Sequence, residues 1–138
     1  MGYVEKDFLM RYFNQLGIVL AKILGLKNKG KFEEANQMIE DSLADFGLMI
    51  PEEYLSMDDS IFIAEITGTL GLNKDQIRAL SELLFEKGDI ERLSGKEDSA
   101  RNFLSKTLIL LDYLTGIEKV FSFEREDRIK WINSYLSN

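Results

Sequence analysis

The 138-residue chain contains no cysteine and no histidine. Without cysteine there is no disulfide, no thiolate nucleophile and no thiolate metal site, and a reducing compartment is the natural home for such a sequence. Without histidine the chain lacks the commonest general base near neutral pH and the commonest metal ligand, which disfavours catalysis from the outset. Pro51 is the only proline, and the alternating Val/Ile/Thr runs that specify a sheet are almost missing. The longest apolar stretch, Leu16 to Leu26, is interrupted by Lys22 and is too short to span a bilayer. Glu5 and Asp7 precede that stretch and no small-residue cleavage site follows it, so no secretory signal is expected; Lys6 spoils a myristoylation signal at Met1-Gly2. Basic side chains number 17 against 24 acidic ones, a net charge of -7, which repels a phosphate backbone. The densest basic cluster, Lys27, Lys29 and Lys31, surrounds Gly30, where positive charge complements the end of a helix. These absences lead us to expect a cytoplasmic protein that engages neither nucleic acid nor membrane.

What is present points to one globular domain over residues 1–138: 45% of residues are apolar and 30% charged, the balance of a chain that buries its own core. Apolar residues recur at helical spacing in segment after segment, predicting an all-α fold of about six helices. The first runs from about Tyr3 to Lys29, with Leu9, Tyr12, Phe13, Leu16, Val19, Leu20 and Ile23 forming a wide stripe. The second spans roughly Lys31 to Phe46, carries Phe32, Ala35, Ile39, Ser42, Leu43 and Phe46 on one face, and stops at Gly47. Residues 47–56 form a connection in which Pro51 starts a short turn. Ser56, three residues before Asp59, reads as the cap of a third helix with Ile61, Phe62, Ile66 and Leu70, ending near Gly71. Asn73 and Gln76 form a second capping box, opening a helix with Ile77, Leu80, Leu84 and Leu93 that Gly95 closes; Gly88 weakens its middle by about 1 kcal/mol relative to Ala. A fifth helix covers about Lys96 to Thr115 with Ala100, Phe103, Leu104, Leu108, Leu111 and Leu114, and a sixth follows Ser122 and buries Ile129, Ile132 and Leu136.

A shift of 65 positions aligns Gly30 with Gly95, Lys31 with Lys96, Ala35 with Ala100, Ile39 with Leu104, Ser42 with Thr107 and Leu43 with Leu108. The helices before those glycines agree more loosely, through Ile18, Val19 and Leu20 against Leu83, Leu84 and Phe85, and Lys22 against Lys87. Glycine permits the tight turn and alanine permits close helix approach, so the correspondence reads as a duplicated hairpin. The expected units are residues 3–48 and 73–115, joined by a connecting helix over 56–71 and capped by a C-terminal helix over 122–137.

Gly30, Phe32, Ala35, Ile39 and Leu43 resemble the second half of the tetratricopeptide motif; Gly95, Ala100, Leu104 and Leu108 keep that pattern, with Glu97 where the aromatic stands. The resemblance implies a tetratricopeptide-like stack of antiparallel helical hairpins. Residues 5–48 also resemble an uncharacterised family of small bacterial all-helical proteins of unknown function, through Phe8, Arg11, Gln15-Leu16-Gly17, Leu20 to Leu24, Gly30 and the turn from Phe32 to Ala35. That resemblance implies a bacterial source and transfers no catalytic residue.

Two residue pairs suggest partner binding. Arg11 and Gln15, one turn apart on the first helix, are placed to hydrogen-bond an anionic group or a peptide terminus. Trp131 and Tyr135, with Phe121 and Phe123 nearby, concentrate aromatic area of the kind that enriches interface cores. Glu33, Glu34, Glu40 and Asp41 return to nearly one helix face and carry the competing reading, a small Mg²⁺-dependent all-α hydrolase. The leading expectation is a noncatalytic helical-repeat interaction module without cofactor or metal. Its partner is a protein or peptide, or a second copy of itself in a homodimer, because the apolar arc of the first helix is broader than one hairpin partner covers.

Overall fold

The computed structural model describes the backbone of residues 2–138 and the side chains from Phe8 onward, so Glu5, Lys6 and Asp7 fall outside the described side chains. It is all-helical, with six α-helices in the order α1 (Gly2–Asn28), α2 (Phe32–Asp45), α3 (Asp59–Ala64), α4 (Lys74–Leu93), α5 (Glu97–Ile117) and α6 (Phe123–Leu136). No strand occurs among the described residues. Nor is any described helix long and apolar enough to cross a membrane.

Two tight joints set the architecture. Gly30 and Gly95 adopt φ of +73° and +80°, a left-handed conformation that costs a side-chain-bearing residue energy and costs glycine none. Each glycine N–H donates three residues back, to Lys27 O and Arg92 O, and the following Lys31 and Lys96 donate five back, to Leu26 O and Glu91 O. The reversals fold α1 onto α2 and α4 onto α5, and α4 also packs on α1 and α2. One core threads these layers through Leu16, Ile23, Ala35, Ile39, Ile77, Leu80, Leu83 and Leu110. A smaller cluster of Leu104, Leu111 and Ile132 seats α6 on α5.

The intimacy of α4 and α5 has a local cause at Gly88. A Cβ there would lie 2.8 Å from Leu104 Cγ and 3.2 Å from Phe103 Cβ. The glycine that weakens the middle of α4 is therefore the condition for α5 to lie against it.

The connecting segment departs from expectation. Ser56 does not cap α3: its hydroxyl donates to Glu53 O within a 3₁₀ turn over Glu52–Ser56, and Asp58 precedes the helix without a side-chain cap. After Ala64 the helix widens into a π turn over Glu65–Thr69. Its buried residues Phe62 and Ile66, and the half-buried Leu70, follow at steps of four. A regular α-helix rotates such a series off one face, and the wider winding keeps it on the core. Ile61, expected inside, precedes that turn and is exposed beside the buried Phe62. Leu93, one turn beyond Ile90 at the end of α4, is exposed as well. The Asn73–Gln76 capping box forms in both directions, and Ser122 caps α6 by accepting from Arg125 N–H.

Candidate functional site

The most unusual surface is the outer face of α1. Among its described residues only Leu16 and Ile23 are buried, while Phe8, Met10, Ile18 and Leu24 are exposed. The positions of α4 aligned with Ile18 and Leu24 are Leu83 and Asp89. Ile18 is 57% exposed and Leu24 47%, against 0% for Leu83 and 7% for Asp89. The difference follows from packing: α4 has α5 on one side and α1 and α2 on the other, whereas α1 packs on α2 and α4 alone among the major helix contacts. Met10, Asn14, Gly17, Ala21 and Leu24 follow steps of four and three, the spacing of a helix–helix seam. Among the described residues, nothing beyond its own helix backbone and chain neighbours comes within 4 Å of a Cβ placed at Gly17.

Of the pair Arg11 and Gln15, both are exposed. Gln15 lines a shallow groove of about 310 Å³ between α1 and α2, together with Ile18, Val19, Ser42 and Phe46. Trp131 and Tyr135 lie on α6 with parallel rings, centroids 5.8 Å apart. Phe85 meets the Trp131 edge at 5.7 Å, and the guanidinium groups of Arg92 and Arg101 sit over Trp131 and Tyr135 at 5.2 and 5.8 Å. Much of the aromatic surface is thus already used in holding α6. The structure does not bring the α1 pair and the α6 pair together, since the first sits on a helix packed on α2 and α4 and the second on a helix packed on α5.

The carboxylates of α2 do not converge either. Glu40 accepts from Lys87 Nζ across to α4 at 3.1 Å, Asp41 accepts from Gln37 at 2.9 Å, and Glu33 and Glu34 are exposed. Among the described residues no three Asp or Glu side chains group as metal ligands would.

Two ionic clusters escaped the sequence reading. Lys27 complements the end of α1, but its Nζ also reaches α4, donating to Glu86 at 2.7 Å and Asp89 at 2.8 Å, with all three side chains about nine-tenths buried. Arg92 adds a second cation to Asp89 at 2.7 Å. Burial by itself pushes the Asp89 carboxyl up and the Lys27 ammonium down. Hydrogen bonds and charge attraction outweigh burial, from Lys27 and Arg92 on Asp89 and from Asp89 and Glu86 on Lys27, leaving Asp89 below its ordinary value and Lys27 above its own. The second cluster gathers Arg78, Arg125 and Glu118 where α4, α5 and α6 meet. Neither cluster is legible as a local motif, because the member that completes it comes from another helix, Lys27 to Glu86 and Asp89, and Arg78 to Glu118. A charged residue embedded in apolar sequence, such as Lys106 in α5, is the one available signal; buried, it donates to Met57 O and to Asp59 on the far side of the connector.

Comparison with protein-family models, with curated proteins and with solved structures finds no match to this chain.

Proposed function

We propose that this protein is a noncatalytic helical-repeat interaction module whose first partner is a second copy of itself, docked on the outer face of α1. The observation that carries the reading is the exposure of Ile18 and Leu24 at positions whose counterparts on α4 are buried under neighbouring helices. Apolar residues exposed at positions that packed helices cover in α4 are suited to being covered by another helix. A two-fold, antiparallel α1–α1 contact fits this face: it opposes the helix dipoles, and Gly17 and Ala21 leave room for two backbones to approach at the crossing.

The same reading takes the chain as a tetratricopeptide-like stack of duplicated hairpins, supported by the matching turns at Gly30 and Gly95 and by matching back-bonds. Ser42 Oγ donates to Met38 O, and Thr107 Oγ1, at the aligned position, donates to Phe103 O. A cytoplasmic setting belongs to this reading and rests on the absence of cysteine. Arg11 and Gln15, exposed beside the α1 face, would edge the dimer contact, and Trp131 and Tyr135 would remain outside it.

The lack of native cysteine makes a direct test simple. Single cysteines at Asn14, Gly17, Ala21 and Leu24 are oxidised in the full-length protein, with Asp98→Cys as an exposed control on α5. The proposal expects an interchain disulfide at one or more α1 positions, because bridging requires Cα atoms within about 7 Å, and none at the control. Absence of cross-linking along α1, or equal cross-linking at Asp98→Cys, overturns it.

A further inference from the structure

Where α4, α5 and α6 meet, a cavity of about 270 Å³ is lined by three arginines, Arg78, Arg125 and Arg128, two carboxylates, Glu82 and Glu124, and the hydroxyls of Ser81 and Ser122, over an apolar floor of Leu111 and Leu114. Three guanidinium groups on two helices are a costly arrangement unless anions hold them, and two of them share one. Glu118, in the connector between α5 and α6, accepts from Arg78 at 2.7 Å and from Arg125 at 3.0 Å, and Arg78 also donates to Asp75 at 3.1 Å. Arg128 is braced separately, donating to Glu82 at 2.7 Å while its guanidinium lies 4.0 Å from the centroid of the Phe85 ring. The rim of the cavity includes the start of α6. Ser122 Oγ there accepts from Arg125 N–H, and the first N–H groups of the helix have no intrahelical acceptor.

Arginine forks match the paired oxygens of a carboxylate or phosphate. The position between Arg78 and Arg125 is therefore an oxyanion position, filled in this structure by the chain's own side chain. Glu118 follows the last residue of α5 and belongs to a connector whose Val120 and Phe121 are exposed. Its N–H stays bonded to Leu114 O, so its withdrawal exchanges the two arginine contacts of the side chain for those of a ligand.

We propose that this cavity binds a small oxyanion-bearing metabolite, whose phosphate or carboxylate head displaces Glu118 from between Arg78 and Arg125 while its remainder lies on Leu111 and Leu114. Arg128, held by Glu82, and the first turn of α6, which carries Glu124, border the head. Displacement frees the Glu118 connector, so binding alters the segment that carries Val120 and Phe121.

The test is calorimetry on the full-length protein at low ionic strength, with inorganic phosphate and malonate as separate probes of the two head groups. Glu118→Gln removes the competing internal charge while keeping side-chain shape, and we expect it to bind one or both probes roughly tenfold more tightly than the unmodified chain. Which probe gains identifies the head group. Adding Arg125→Lys to Glu118→Gln keeps the charge but removes the fork, and should lose most of that gain. Trp131, the only tryptophan, meets Phe85 beneath Arg128 and gives an independent fluorescence readout. The proposal is overturned if the folded Glu118→Gln protein binds neither probe at millimolar concentration, or binds them no better than the unmodified chain. Equal binding after the added Arg125→Lys change also overturns it.

Discussion

The two hairpins, α1 with α2 and α4 with α5, turn in the same way and diverge in what surrounds them. Their glycines share a left-handed φ and the same pair of backbone hydrogen bonds, and Ala35 and Ala100 are both fully buried at the following contact. Yet Ile23 corresponds to Gly88, Ala21 to Glu86, and Leu24 to Asp89. In the first hairpin a large apolar residue fills the buried position and small or apolar residues face outward. In the second, a glycine admits α5 and two carboxylates face inward to meet Lys27. The turn chemistry is common to both; the faces are set by whether a helix lies at the edge of the packed layers or between them.

The largest test of that contrast is Lys27→Met. It leaves Glu86 and Asp89 buried with the Lys27 charge gone, and Arg92 still on Asp89, and should cost about 3–5 kcal/mol in denaturant unfolding. The pH dependence has a defined sign. Asp89, held below its ordinary value, stabilises the fold above the normal carboxylate range, and that contribution disappears as pH falls through its depressed pKa. Lys27, held above its ordinary value, contributes below the normal lysine range and loses that contribution as pH rises through its raised pKa. The contribution is level between about pH 5 and 10, and Lys27→Met should flatten the alkaline limb. An unchanged alkaline limb in the variant would break the assignment of Lys27 as the bridge between α1 and α4.

Next in size is Ile23→Ala, expected to cost about 3 kcal/mol through the cavity it leaves in a fully buried position. At the aligned site the direction of change reverses. Gly88→Ala adds one carbon against the fully buried Leu104, and the strain should exceed the gain in helix propensity, for a net loss of about 1 kcal/mol. Gly25→Ala in α1, where nothing lies within 4 Å of the new Cβ, should instead gain up to about 1 kcal/mol. Thermal melts of the two glycine variants moving in the same direction would contradict the claim that only α4 uses its glycine for close packing.

The helices, their order and both hairpin turns were readable because each rests on local signals: 3.6-residue periodicity, the Asn73–Gln76 box, and glycines past helix ends. The connector was not. The decision between α and π winding after Ala64 depends on holding Phe62, Ile66 and Leu70 against a core built from other helices, and Ser56 found a nearer acceptor in its own turn. Candidate residues were legible to the same limit. Exposed Arg11 and Gln15 and the aromatic pair on α6 stand out in sequence, whereas Lys27 with Glu86 and Asp89, and Arg78 with Glu118, are brought together only by helix packing. The α1 stripe was legible as a core face: apart from Leu9 it packs inward, whereas the exposed Met10, Ile18 and Leu24 lie beside it and carried no periodic signal of their own.

That exposed face carries the central claim, and sedimentation equilibrium of the protein across micromolar concentrations tests it most directly. The account predicts a reversible dimer that Ile18→Glu converts to monomer with helical content unchanged, because the charge enters an apolar contact between copies and no core within one. A strict monomer at every concentration, or a dimer indifferent to Ile18→Glu, would contradict it.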